Sequence, residues 1–108
     1  MATTLKVLGQ LVPASGTLST LYTVPGATSV TVSSVTICNQ GAATVVRLSF
    51  AVVGAADDPK QYVYYDLPVA ANDTFVATIG ATLAAAGVVR CQSANGLVSF
   101  NAFGIEVT

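Results

Sequence analysis

Apolar and polar side chains alternate along most of this chain with a period of two. Over residues 44–53, Val46, Leu48, Phe50 and Val52 share one parity, against Val45, Arg47, Ser49 and Ala51. Over 73–82, Phe75, Ala77 and Ile79 oppose Thr74, Val76 and Thr78. Over 97–107, Leu97, Phe103, Ile105 and Val107 oppose Val98, Phe100 and Ala102. Successive side chains of a strand leave on opposite faces, so this period predicts strands. Turn-forming clusters punctuate the runs at Pro13–Gly16, Pro25-Gly26, Asn39–Gly41, Gly54–Pro59, Pro68–Asp73, Ala84–Gly87 and Asn95-Gly96. The pattern predicts eight strands, at roughly 5–12, 17–24, 28–38, 44–53, 61–67, 73–82, 87–93 and 97–107. Short strands at this spacing belong to a sandwich or barrel. The expected fold is therefore all-β, a single antiparallel β-sandwich over residues 1–108, with jelly-roll and immunoglobulin-like strand orders both open. Residues 1–12 are read as an N-terminal arm or an edge strand.

Two local features refine this picture. In 28–38, Val30 and Val32 have one parity and Val35 and Ile37 the other. The phase flips at Ser33-Ser34, which requires a bulge or a strand that bends from one sheet into the other. Asn95-Gly96 sits between two strand-like runs and predicts a hairpin, because both residues tolerate positive φ. Asn39-Gln40-Gly41 is a looser version of the same signal. Only Ile79–Ala86 has any helical character, and Gly80 and Gly87 count against it.

Composition reinforces the strand reading. Val and Ala number seventeen each and Thr thirteen, with no Trp and no His. Val and Thr are β-branched and suit a pleated surface. Charged residues make up only 8%, against about 25% in an ordinary soluble domain. The four cations, Lys6, Arg47, Lys60 and Arg90, are scattered, and the net charge is −1. Phosphate neutralisation needs clustered Lys and Arg, so no nucleic acid is expected as a partner. So little charge leaves a free monomer poorly soluble unless hydroxyls and amides coat it or other subunits cover it. Assembly, as a homo-oligomer, is the favoured reading. No run is apolar enough over about 20 residues to span a membrane, and the N-terminus lacks a signal-peptide pattern. No membrane partner is expected, and folding is expected in a cytoplasm.

The residue inventory points away from catalysis. Without His, the commonest general base, the usual triad and the usual zinc ligand are missing. No phosphate-binding glycine motif occurs. The chain is read as not an enzyme, with no cofactor, no metal site and no catalytic residue. Asp57-Asp58, followed by Pro59-Lys60, is the densest charge cluster, and two adjacent carboxylates are too few for a calcium loop. It is read as a solvated loop tip whose turn Pro59 fixes. Asp66 and Asp73 adjoin turn signals and are read as Asx-turn caps rather than an acid–base pair. Cys38 and Cys91 lie on different strands with no Cys-x-x-Cys spacing, and are read as free thiols acting as small hydrophobes. Tyr62, Tyr64 and Tyr65, in QYVYYDLP, are the aromatic concentration and the candidate interaction surface. They act either as ordinary strand residues, one parity in the core, or as a contact for a protein, sugar or base.

Several stretches together resemble a known group. These are LYTVP at Leu21–Pro25, Asn-x-Gly at Asn39–Gly41, YYDLPVAAND at Tyr64–Asp73 and SFNAFG at Ser99–Gly104. They are similar to segments of small virion structural proteins of tailed bacteriophages, including phages of cyanobacteria and other aquatic bacteria. The resemblance runs from about residue 8 to the end. It implies a virion component, made in the host cytoplasm and partnered by the major capsid protein or other virion proteins. A capsid cement or decoration protein on the outer head surface, stabilising contacts between capsomers, is the expected role. The alternative is a tail, neck or fibre-associated module, with receptor or carbohydrate binding through the tyrosine surface. The group has no catalytic residues to carry over.

Overall fold

In a computed structural model, which describes residues 2–108, the alternation resolves into eight strands. They are β1 (Thr3–Leu11), β2 (Ser19–Thr23), β3 (Ser29–Asn39), β4 (Thr44–Ala51), β5 (Tyr62–Val69), β6 (Thr74–Leu83), β7 (Val88–Ser93) and β8 (Val98–Val107). They form two four-stranded antiparallel sheets, ordered β1-β8-β3-β6 and β2-β7-β4-β5. Pairing is concentric: β1 with β8, β2 with β7, β3 with β6 and β4 with β5. A long hairpin rolled over its own core in this way is a jelly roll, and the immunoglobulin-like order is set aside. β1 is an edge strand, paired with the chain's own β8 from Thr3–Val107 to Leu11–Phe100.

The core lies between the sheets. From the first sheet come Val30, Val32, Val35, Ile37, Val98, Phe100 and Ala102; from the second come Val46, Leu48, Val89 and Cys91. Each belongs to the inward parity of its strand. Phe75, Ile79 and Phe50 pack around this cluster, as the period of two requires. The fourth strand ends at Ala51, short of the expected residue 53. There Val53 takes a positive φ of 50° within a 3-10 turn, Val52–Gly54, and Val52 and Val53 are exposed.

The phase flip in β3 is a bulge, and the strand stays in one sheet throughout. The register shifts between Val32 and Ser34 against both β6 and β8. Ser33 turns outward and its Oγ donates to the Phe103 carbonyl at 3.1 Å, so Val32 and Val35 both point into the core. Gly104 makes this bend feasible. A Cβ there would stand 2.1 Å from the Thr31 carbonyl oxygen, so only glycine lets the two backbones approach.

The two turns read as hairpin-like are corrected. Asn95-Gly96 joins β7 to β8, and Asn39–Gly41 joins β3 to β4, and each pair of strands lies in different sheets. The local chemistry is that of a tight turn. Gly96 has φ 70°, the Asn95 Oδ1 accepts from the Leu97 N–H at 2.8 Å, and the Ser93 Oγ accepts from the Gly96 N–H at 3.1 Å. Such a turn reverses the chain but does not choose the strand that the reversed segment pairs with. In a jelly roll, concentric pairing chooses it.

Candidate functional site

The outer face of sheet β2-β7-β4-β5 carries the aromatic concentration. On β4, Val46 and Leu48 point inward, so Arg47 and Ser49 point outward. On β5 the register against β4 shifts twice, between Val46 and Leu48 and between Leu48 and Ser49. The second shift passes over Val63. It sends Tyr64 inward, edge-on to Phe75 with ring centroids 5.3 Å apart, and leaves Tyr62 outside. The first shift places Tyr65 and Asp66 opposite Arg47, with Asp66 at φ 56°. That left-handed residue is what turns the Asp66 carboxylate towards Arg47.

The result is a fixed cluster. Arg47 donates through Nε to Asp66 Oδ1 at 2.7 Å and through Nη2 to Oδ2 at 3.3 Å. Its guanidinium carbon lies 3.9 Å from the Tyr65 ring centroid. Tyr65 meets Tyr62 edge to face, with centroids 5.1 Å apart and planes at 89°. Arg47, Asp57, Pro59, Tyr62 and Tyr65 line a recess of about 410 Å³. The ion pair raises the Arg47 pKa and lowers that of Asp66, hydrogen bonding between them being the main cause. The Tyr62 hydroxyl is pushed above the usual phenol range, by burial first and then by the Asp57 carboxylate.

The β4–β5 connection shapes the recess and covers part of the sheet. Asp58 caps the 3-10 turn Pro59–Gln61: its Oδ1 accepts from the Lys60 N–H at 3.1 Å, while the Asp58 N–H donates to Gln61 Oε1 at 3.3 Å. This reciprocal box fixes Pro59 against the tyrosines. Arg90, on β7, donates through Nη2 to the Ala55 carbonyl at 2.8 Å and holds the connection down. Ser49, beneath it, is fully buried. The Ser49 Oγ and Arg90 Nη1 have no hydrogen-bond partner among the described residues.

The tyrosine surface is two residues, Tyr62 and Tyr65, with Tyr64 beneath them in the packing. Asp66 is an ion-paired strand residue, not an Asx-turn cap, because the bulge carries it to Arg47. The Asp73 Oδ1 accepts from the Thr74 N–H at 2.8 Å, one residue on rather than the two of an Asx-turn. Asp57 and Asp58 serve different ends, recess and cap, and no group of three or more metal-ligating side chains occurs among the described residues. Cys38 and Cys91 are both free. Sequence reasoning missed Arg47, Asp57 and Pro59 as partners of the tyrosines. One signal was available: Arg47 is the only charge in its strand and lies opposite in parity to Val46 and Leu48.

The outer face of the other sheet is different in kind. Its outward residues are Thr3, Leu5, Val7 and Gln10 on β1, Ser29, Thr31, Ser33, Ser34, Thr36 and Cys38 on β3, Thr74, Val76, Thr78 and Thr82 on β6, and Ser99, Asn101, Phe103, Ile105 and Val107 on β8. No Asp, Glu, Lys or Arg points outward from these four strands. Lys6 and Glu106 take the inward parity and pair with each other at 3.3 Å. No family model matches this chain, and no curated protein matches it.

Proposed function

We propose that this protein is a structural assembly subunit that packs against its neighbours through the outer face of sheet β1-β8-β3-β6. The observation that carries this reading is the absence of outward charge from that whole face. Burying it desolvates apolar groups, hydroxyls and the hydrogen-bonded Gln10–Asn101 amides but no ionised group, which is the costly kind to bury. Four strands at about 4.8 Å spacing and some ten residues long give a plane of roughly 600 Å². That is close to the roughly 800 Å² each partner contributes to a standard interface.

Sheet edges are poorly suited to the same task. Every edge strand is interrupted by a register shift: β1 at Leu8, β2 at Leu21, β5 at two places and β6 opposite Ser33. β1 also carries the inward-facing Lys6, and β5 carries Pro68. Bulges, prolines and inward charges are the devices that stop edges from pairing with another chain. Packing through faces is what remains.

The resemblance to phage virion proteins directs the reading to a capsid cement or decoration protein, bound to the outside of the head and to the major capsid protein. There, weak contacts gain strength from copy number. The test is the number of copies per particle, measured by quantitative mass spectrometry of purified virions. A cement protein is expected at on the order of hundreds of copies. A dozen or fewer would move the protein to the tail or neck, and absence from the particle would overturn the virion reading.

A further inference from the structure

We infer that the recess between Arg47, Asp57, Pro59, Tyr62 and Tyr65 is a binding site for a neutral saccharide. It lies on the sheet facing away from the proposed packing surface, and the inference does not depend on that packing. Tyr65 is 61% exposed in a chain with only eight Phe and Tyr and no Trp. It is nevertheless immobilised. Tyr62 abuts it, Arg47 lies over it, and the Asp66 bulge anchors the backbone beneath. A large aromatic surface held rigid and left to solvent loses little entropy when a ligand stacks on it.

The polar groups around the rings select the ligand class. The Arg47 charge is already matched by a two-point pair with Asp66, and Asp57 leaves one carboxylate in excess. Phosphates, sulfates and acidic sugars therefore meet net negative charge. A cationic ligand meets the guanidinium already lying over the Tyr65 ring. A neutral pyranose carries no charge to be repelled, and stacks on the part of Tyr65 that Arg47 leaves exposed. Its apolar ring face matches the tyrosine, and its hydroxyls can donate to Asp57 and accept from the Arg47 N–H groups that Asp66 leaves free. The volume lies within the ordinary range for small-ligand sites, about 300–1,000 Å³.

The test is an NMR titration of the isotope-labelled full chain with maltose, cellobiose, lactose and N,N′-diacetylchitobiose. N-acetylneuraminic acid and inorganic phosphate serve as charged comparators. At least one neutral disaccharide is expected to give saturable shifts at Tyr62, Tyr65 and Arg47, with a dissociation constant of about 1 mM. Tyr65→Ala is expected to weaken that binding about tenfold or more, and Tyr65→Phe to keep it within about threefold. The fingerprint spectrum of each variant reports folding directly. Silence across the four neutral sugars, shifts mapping elsewhere, or equal response to the charged comparators would overturn the inference.

Discussion

Asn39 ends β3 with almost no exposed surface, yet every polar atom of its side chain is used. Its Nδ2 donates to the carbonyls of Ala42, Val69 and Ala70, at 2.9, 3.3 and 3.1 Å. Its Oδ1 accepts from the Gly41 N–H at 3.0 Å and from Asn95 Nδ2 at 3.1 Å. One amide thus ties together three connections, β3–β4, β5–β6 and β7–β8, at one end of the sandwich. Asn39→Ala removes all five bonds: the Ala42 and Ala70 carbonyls keep Asn95 Nδ2 and the Asp73 N–H as donors, but the three connections lose their common tie and the Gly41 N–H loses its acceptor. The expected loss is about 2–4 kcal/mol, read as a shift in the urea unfolding midpoint at unchanged slope. A loss below about 0.5 kcal/mol would mean that water replaces the amide. Cys91 gives a second test at this scale. Burial pushes its thiol up to about 12, so the native protein presents no thiolate there at pH 8.5. Intact mass after iodoacetamide treatment is expected to show at most one alkyl group on the folded protein, at Cys38, and two in denaturant. The folded pKa is raised above the unfolded value. The contribution to stability is therefore complete below about 9 and erodes as pH rises from there towards the folded pKa.

Between the sheets, three strands are clipped by one carboxylate. Glu106 on β8 accepts from the Tyr22 hydroxyl on β2, across the sandwich, and from Lys6 on β1 at 3.3 Å. These contacts hold the Glu106 pKa below its ordinary value, the Tyr22 hydrogen bond first, then Lys6, with burial opposing them. A folded-state pKa that is depressed contributes stability above the unfolded value, about 4.5, and loses it as pH falls through the folded one. The gap in thermal midpoint between the wild type and Glu106→Gln is expected to be full at pH 6–7 and to close progressively below pH 4.5. A gap that stays constant across that range would place the stabilisation in packing rather than charge. Element by element, the strands were legible because one side of each faces the core, and that asymmetry writes a period of two into the sequence. The β3 bulge was legible for the same reason, since a phase flip between Val32 and Val35 has to be absorbed somewhere. The sheet that each strand joins was not legible. Asn95-Gly96 encodes a reversal, while the partner of β8 is set by concentric pairing of segments about a hundred residues apart. The recess was half legible. The tyrosines stood out by composition, but the slip at Val63 that separates Tyr64 from Tyr62 and Tyr65 depends on register with β4, which no local pattern records.

At the scale of the whole molecule, the sandwich is two-faced. Arg47, Asp66 and Arg90 project from the outer face of sheet β2-β7-β4-β5, and Asp57, Asp58 and Lys60 belong to the connection lying against it. The face of β1-β8-β3-β6 keeps its outward positions uncharged from edge to edge. Neither core packing nor strand formation requires that partition, because outward positions tolerate charge freely in an isolated domain. Burial of that face in the proposed assembly would favour it. The consequence can be tested one charge at a time. Leu5 is 77% exposed and Val76 55%, on the two edge strands of the face. Leu5→Lys and Val76→Lys should each leave the unfolding free energy within about 0.5 kcal/mol of wild type. Each should weaken attachment to heads, or self-association of the isolated protein, by about tenfold or more, because a lysine must then be desolvated or the contact opened. Lys60→Glu, on the opposite side, changes charge by two and is expected to leave attachment unaltered. Co-sedimentation with heads and analytical ultracentrifugation of the three variants read this directly. If Lys60→Glu weakens attachment and the two lysine substitutions do not, the packing surface is the charged side, and the saccharide recess and the assembly contact compete for the same ground.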